Sequence, residues 1–199
     1  MVPWSSTSVA EPAARLRPCG LTSPISQTVF VRIVQDQPDM IGLATGYWQR
    51  KDPQALATGV VKLTAHDFFK EKPVKGADVY WLRPVIVDWD DGDLARISRH
   101  IKNAMAPGKS RLLIGEYIMH PTWGDALPSN APPPLLKNYG DFVLTVGPNG
   151  GQRTVNHVRN LVEAAGLKIV NVWICNGLGS VIECQLKDDV YVDATTKCP

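Results

Sequence analysis

Three acidic side chains stand where apolar runs give out, and that placement is the first sign of chemistry in the sequence. Between Ala65 and Trp89 one run ends on His66-Asp67-Phe68, and a second, Val79 to Val87, closes on Asp88-Trp89. A third, Arg111 to Tyr117, carries Glu116 near its end. Short apolar runs bounded by Lys, Gly, Asp and Pro read as strands of a parallel sheet with both faces covered, since the alternation of a half-exposed strand is lost. In open α/β sheets ligands bind beyond the carboxyl ends of the strands, so these carboxylates mark the expected site. His66, His100, His120 and His157 and the four cysteines show no metal-ligand spacing, and no metal is expected. Cys175 and Cys184 fall in apolar runs and read as buried thiols.

The elements that must position these groups follow from period and punctuation. Met1 to Gln27 is rich in Ser, Pro, Ala and Thr and is expected to be a flexible arm. The β-branched run Val29 to Val34 reads as a strand ended by Gln35-Asp36-Gln37-Pro38, with Asp39 to Tyr47 as a helix. Gly59 to Thr64 is the next strand, and Val79 to Val87 another, with Pro84 marking its end, a bulge or a bend. Leu94, Ile97, Ile101 and Met105 share one face of a helix over Asp90 to Met105. After Arg111 to Tyr117 comes a proline-rich excursion, His120 to Pro134, and then a helix over Leu135 to Val146. Thr154 to Ala165 has a capping threonine and a stop at Gly166. Leu167 to Cys175 and Ser180 to Leu186 are joined by Asn176-Gly177-Leu178-Gly179, a hairpin signal. The order is α/β, with a mostly parallel sheet and an antiparallel terminal pair. One domain is expected over residues 28–187, with a tail at 188–199.

Composition narrows the function classes. With 21 basic and 19 acidic residues in 199, the net charge of +2 gives no basic face for nucleic acid or an anionic membrane. No apolar stretch approaches the roughly 20 residues of a membrane-spanning helix, so a cytoplasmic location is expected.

Five motifs occur in a distinctive order: Val34–Ile41 (VQDQPDMI), Ala65–Phe69 (AHDFF), Lys75–Asp91 (KGADVYWLRPVIVDWDD), the Leu112–Tyr117 strand (LLIGEY) and Gly150–Lys168 (GGQRTVNHVRNLVEAAGLK). From about Phe30 to Leu186 the chain thereby resembles the C-terminal, S-adenosylmethionine-binding domain of the plant and fungal O-methyltransferases. The resemblance implies a Rossmann-like class I methyltransferase sheet with an antiparallel C-terminal hairpin. It also implies methyl transfer to a small aromatic hydroxyl of secondary metabolism. It gives Asp36 the ribose hydroxyls of the cofactor, Asp67 and Phe68 the adenine, and Arg83 a place near the cofactor where the family carries Lys. Asp88 and Trp89 complete a His-Asp-Trp signature, and Glu116 matches the acidic residue that orients the family's catalytic base. Each has a plainer reading: Asp36 as a turn former, Trp89 as core, Asp88 as a helix cap, Arg83 in a surface ion pair.

The sequence also departs from the pattern. The family's base histidine is Val87 here, and a second acidic position is Gln152. The first strand, its glycine-rich turn and the N-terminal dimerisation domain have no counterpart in the sequence. A central strand leaves main-chain groups unpaired if it is missing. The N-terminal arm can fill the gap, the flanking strands can close up, or another chain, as a homo-oligomer or partner, can donate a strand. The alternative to an enzyme is a truncated, inactive or repurposed methyltransferase-like binding module.

Overall fold

The computed structural model describes residues 6–9, 31–70, 74–119, 151–174 and 179–189. Its sheet is built from β1 (Ser6–Val9), β2 (Arg32–Asp36), β3 (Val61–Ala65), β4 (Val79–Arg83), β5 (Arg111–Glu116), β8 (Leu167–Ile174) and β9 (Ser180–Leu186), in the order β3-β2-β1-β4-β5-β9-β8. Helices α1 (Pro38–Lys51) and α2 (Pro53–Ala57) join β2 to β3, and α3 (Asp91–Ala104) joins β4 to β5. Helix α4 (Val155–Ala164) precedes the terminal hairpin. Two-residue strands β6 (Ile118–Met119) and β7 (Arg153–Thr154) pair in parallel just past β5. The expected helix over Leu135 to Val146 and the His120 to Pro134 excursion lie outside the described residues, as do Cys19, Cys175 and Cys198.

The central slot is filled, and it is filled backwards. β1 pairs antiparallel with β2 (Thr7 opposite Gln35) and with β4 (Thr7 opposite Leu82). The arm was expected to be flexible, with filling of this slot as one of three ways to satisfy the flanking strands; Ser6–Val9 fill it as a sheet strand, because four residues of ladder satisfy the inward edges of β2 and β4. Only β2/β3 and β4/β5 are parallel in this sheet, while β1/β2, β1/β4, β5/β9 and β8/β9 are antiparallel. The sheet is therefore mixed rather than mostly parallel.

Local chemistry moved several boundaries. β2 runs on to Asp36, and Pro38 opens α1 at its first turn with Asp39 beside it. Asp52 caps α2, accepting from the Ala55 amide at 3.1 Å, with Pro53 at the first helical position; this helix had no periodic signal. β3 begins at Val61 because Gly59 sits at φ 73°, a left-handed conformation outside strand geometry. β4 stops at Arg83 instead of Val87: Pro84 has no N–H for a ladder, and the chain turns through a 3-10 segment, Ile86–Asp88. Asp90, not Asp88, caps α3, accepting from the Asp93 amide at 2.8 Å. Thr154 caps α4 as expected, accepting from the His157 amide at 3.2 Å. The domain passes its expected limit at residue 187, since Asp189 is buried and its Oδ1 accepts from the Gly108 amide at 2.9 Å.

The core lies on one face of one half of the sheet. Leu94, Ile97 and Ile101 of α3 and Val158 and Val162 of α4 pack on Tyr80, Leu82, Leu112, Ile114, Ile182 and Cys184. Burial at Cys184 pushes its thiol up to about 12, consistent with an inert packing thiol. The next residues along the same strands, Trp81, Leu113 and Val181, are only partly buried. Among the described residues the second face is thus covered only in part, with Val79 buried on it and Trp81 partly so: an apolar run permits double burial, but the elements on the second face decide it. Trp81 lies across Gly115, where a Cβ would come within 2.8 Å of the indole, so glycine is required for that contact. No residue of β2, β3, α1 or α2 belongs to the main core cluster. No described helix is long and apolar enough to cross a membrane.

Candidate functional site

The parallel strands β2, β3, β4 and β5 all end at one edge, and the residues singled out from the sequence gather along it. Asp36 is the last residue of β2 and is 8% exposed; its Oδ1 accepts the Gln37 amide at 2.8 Å. Burial raises its carboxyl above the ordinary aspartate range, with the Gln37 amide partly offsetting the rise. The neighbouring strand end is tied to it, since the His66 amide donates to the Asp36 carbonyl at 2.9 Å.

Asp67 follows β3 and organises its own turn. Its Oδ1 accepts the Phe69 amide at 2.9 Å, and its Oδ2 lies 3.2 Å from the exposed Lys70 ammonium. The Phe69 amide is the main cause of a lowered carboxyl pKa, so Asp67 stays charged. Phe68 meets Trp89 edge to face at 6.0 Å between ring centroids, and Phe69 meets Trp89 at 4.7 Å. Trp89 is therefore a partly buried bridge from the β3 turn to the core, in line with its plainer reading. Arg83 is exposed at the end of β4, beside the β1 residue Ser6 in the ladder.

Past Pro84 the 3-10 segment folds over the end of β5, which brings Val87, Asp88 and Glu116 together. Glu116 is 3% exposed, and its Oε1 accepts the Tyr117 amide at 2.9 Å. Burial pushes its carboxyl up to about 7; the amides of Tyr117, Val85 and Val87 pull the other way, and the charge of Asp88 adds to the rise. Its second oxygen, Oε2, is buried without a hydrogen bond of normal geometry. Asp88 is partly buried, and loss of solvent raises its pKa as well. Val87 is 4% exposed, and its carbonyl accepts the Gly151 amide at 3.0 Å, which brings the Gly151–Gln152 segment against the same turn. The sequence-based positions Val87, Asp88, Glu116 and Gln152 thus share one junction, while Asp36, Asp67, Phe68 and Arg83 lie along the same edge of the sheet.

One residue that sequence reasoning passed over holds this junction together. Arg153 is 7% exposed and donates through Nε to Asp91 Oδ1 at 2.9 Å, through Nη1 to the Ile86 and Gly151 carbonyls, and through Nη2 to the Trp89 carbonyl at 2.8 Å. A planar guanidinium with five donors suits such a convergence of carbonyls, where an ammonium would not. His157 Nε2 lies 2.8 Å from the other Asp91 oxygen. Burial raises Asp91, but its contacts with His157 and Arg153 outweigh that and leave its pKa lowered. An open groove bounded by Asp90, Gly92, Gly151, Gln152 and His157 runs past this clamp. The signal available in the sequence was the position of Arg153 directly after Gly150-Gly151-Gln152. Among the described residues no cluster of His, Cys, Asp and Glu suits a metal ion.

The strand order, the helices between strands and the acidic carboxyl edge define a Rossmann-like sheet of the class I methyltransferase kind. A solved structure of the mitomycin 7-O-methyltransferase MmcR superposes with a TM-score of 0.65 at 28% identity, covering 77% of this chain and 41% of that one. OxaC, solved in complex with SAH and oxaline, gives 0.62 at 29% identity, covering 78% and 35%. The sequence model of the O-methyltransferase domain matches residues 29–168. The O-methyltransferase gedA of Aspergillus terreus is 37% identical over 166 residues, and tpcA of Aspergillus fumigatus 39% over 167, each covering 78% of this chain. The chain belongs to the O-methyltransferase domain family. It spans about a third of the length of these fungal relatives, 34% in both cases.

Proposed function

We propose that this chain binds S-adenosylmethionine and transfers its methyl group to the hydroxyl of a small aromatic compound of secondary metabolism. The observation that carries the reading is the gathering of Asp36, Asp67 with Phe68, and the Asp88–Glu116 junction along one sheet edge in a chain of this family. Asp36 offers a second carboxylate oxygen to the ribose hydroxyls, while its first is fixed by Gln37. Asp67, charged and held by its turn, is placed to accept from the adenine amine, with Phe68 as apolar cover and Arg83 at the adjoining strand end. When bound, the sulfonium supplies an electrophilic methyl carbon; the chain's part is to hold the adenosine and to remove the acceptor's proton.

The fit is good at the adenosine end and incomplete at the other. Because β1 runs backwards, its first residue, Ser6, meets the site edge opposite Arg83, so β1 cannot end there in a strand-to-helix turn of backbone amides. The methionine end must be held by other groups, and weakened cofactor affinity is expected. Titration calorimetry with S-adenosylhomocysteine tests this. Saturable binding is expected, reduced about 10-fold or more in Asp36→Ala, as befits loss of hydrogen bonds to a charged acceptor. No binding at millimolar ligand would sink the reading.

A further inference from the structure

We infer that the outward face of α1 is an interface on which a second copy of this chain docks, the two helices packing antiparallel across a twofold axis. The inference goes beyond methyl transfer and does not depend on it. Helix α1 runs for 14 residues, and none of them is buried. Helices in proteins are held mainly by the packing of one apolar face, so a helix of this length without a buried residue is short of a partner. Its half-buried side, Ile41, Ala44 and Trp48, lies toward β3 and β2. The opposite side carries Leu43 and Tyr47, 69% and 47% exposed and one turn apart.

What stands beside those two residues says which partner fits. Asp39 lies one turn before Leu43, and Arg50 and Lys51 close the helix one turn after Tyr47, so the outward stripe is acidic at one end, apolar in the middle and basic at the other. Such a stripe complements itself when it is reversed, whereas a partner of one sign would meet like charge at one end. In an antiparallel pair Asp39 comes opposite Arg50 and Lys51 of the other copy, and Leu43 comes over the other copy's Gly46 and Tyr47. The same contacts then form twice, as a closed twofold interface requires. Lys51 is already turned along this face: its ammonium donates to Tyr47 Oη at 2.8 Å and lies 5.3 Å from the ring centroid. Among the described residues nothing lies within 4 Å of a Cβ built on Gly42, and one built on Gly46 meets only the Arg50 guanidinium at 3.5 Å. Two glycines inside an exposed helix weaken it, and close approach of a second helix accounts for them where no contact within the chain does.

Sedimentation velocity of the whole chain over a concentration series tests this. A contact confined to one helix about 21 Å long falls below the roughly 1,200 Å² of a stable interface, so a reversible monomer–dimer equilibrium is expected between about 10 µM and 1 mM. Leu43→Glu should weaken it about 10-fold or more, because each substitution counts twice across the axis. Asp39→Lys alone, and Arg50→Glu together with Lys51→Glu, should each weaken it likewise. Mixing those two charge variants should restore a heterodimer, since opposite charges then meet at both ends of the pair. Leu43→Glu, at a side chain 69% exposed, decides the matter even if the charge variants unfold α1. A wild-type chain that stays monomeric to the top of that range leaves the face to a different protein. A dimer that survives Leu43→Glu, or folded charge variants that form none on mixing, places the contact on another surface. Each of these results would overturn the inference.

Discussion

Glu116 couples the candidate site to stability with a definite sign. Its folded-state pKa of about 7 lies above the ordinary 4.5, so the native state holds a proton that the unfolded chain has released between those values. Stability therefore falls as pH rises through that window and levels off above it. The span corresponds to about 3 kcal/mol. Glu116→Gln, which keeps the shape without the charge, is expected to be more stable than wild type at pH 8 by up to that amount and equal to it near pH 4. Urea unfolding at the two pH values measures the difference; a variant destabilised at both would mean that Glu116 is held ionised. Asp91 has the opposite sign. Its pKa is lowered by His157 and Arg153 despite burial, so its contribution is present above the ordinary aspartate range and lost as pH falls.

Among the elements, the segment from Pro84 to Asp90 carries the site on no more than the single 3-10 turn Ile86–Asp88, and Arg153 braces it. Removing the guanidinium leaves the Ile86, Trp89 and Gly151 carbonyls without this donor and Asp91 without its arginine partner. Arg153→Met is expected to destabilise by about 3 kcal/mol, the lower end for breaking a buried charged contact. Asp91→Asn should cost under about 1 kcal/mol, since that side chain is half exposed. Equal effects in chemical denaturation would show that the ion pair, rather than the carbonyl contacts, holds the turn. Tyr80 plays a similar part at the far end of β4, its single hydroxyl proton shared between the Val74 and Ala104 carbonyls. Tyr80→Phe is expected to lose about 1 to 3 kcal/mol, the cost of a missing buried donor, again readable from the unfolding midpoint.

The whole molecule is unevenly packed, and its dynamics should follow. The main core joins α3 and α4 to β4, β5, β8 and β9, whereas β2, β3, α1 and α2 contribute nothing to it, and Leu43 and Tyr47 of α1 are exposed. Local opening follows buried apolar contact, so amides of β2 and β3 should exchange with solvent well before those of β5 and β9. Thr7→Pro removes a ladder donor from the middle of β1, where both neighbours are strands. It is expected to abolish the residual protection of β2 while leaving β5 and β9 protected. Uniform loss across the sheet in hydrogen exchange would show one cooperative unit instead of two.

What the sequence determined by itself was local chemistry. The capping of α4 by Thr154, the break at Pro84, the buried Cys184 and the face Leu94-Ile97-Ile101 depend on residues within a turn or two of one another, where period and hydrogen-bonding capacity act directly. The strand-end acids Asp36, Asp67 and Glu116 were legible for the same reason, and the motif order carried the family. Tertiary structure alone decided the rest. Ser6–Val9 have no strand signal, yet they form a central strand because β2 and β4 present unpaired main-chain groups to each other across the gap. The half-covered face behind Trp81 and Leu113 depends on which elements pack there, which no apolar run records. Arg153 reads as a surface charge until three carbonyls, two of them more than 60 positions away, converge on it. The raised carboxyl of Glu116 is set by burial, with the charge of Asp88 adding to it, and only the fold brings these together.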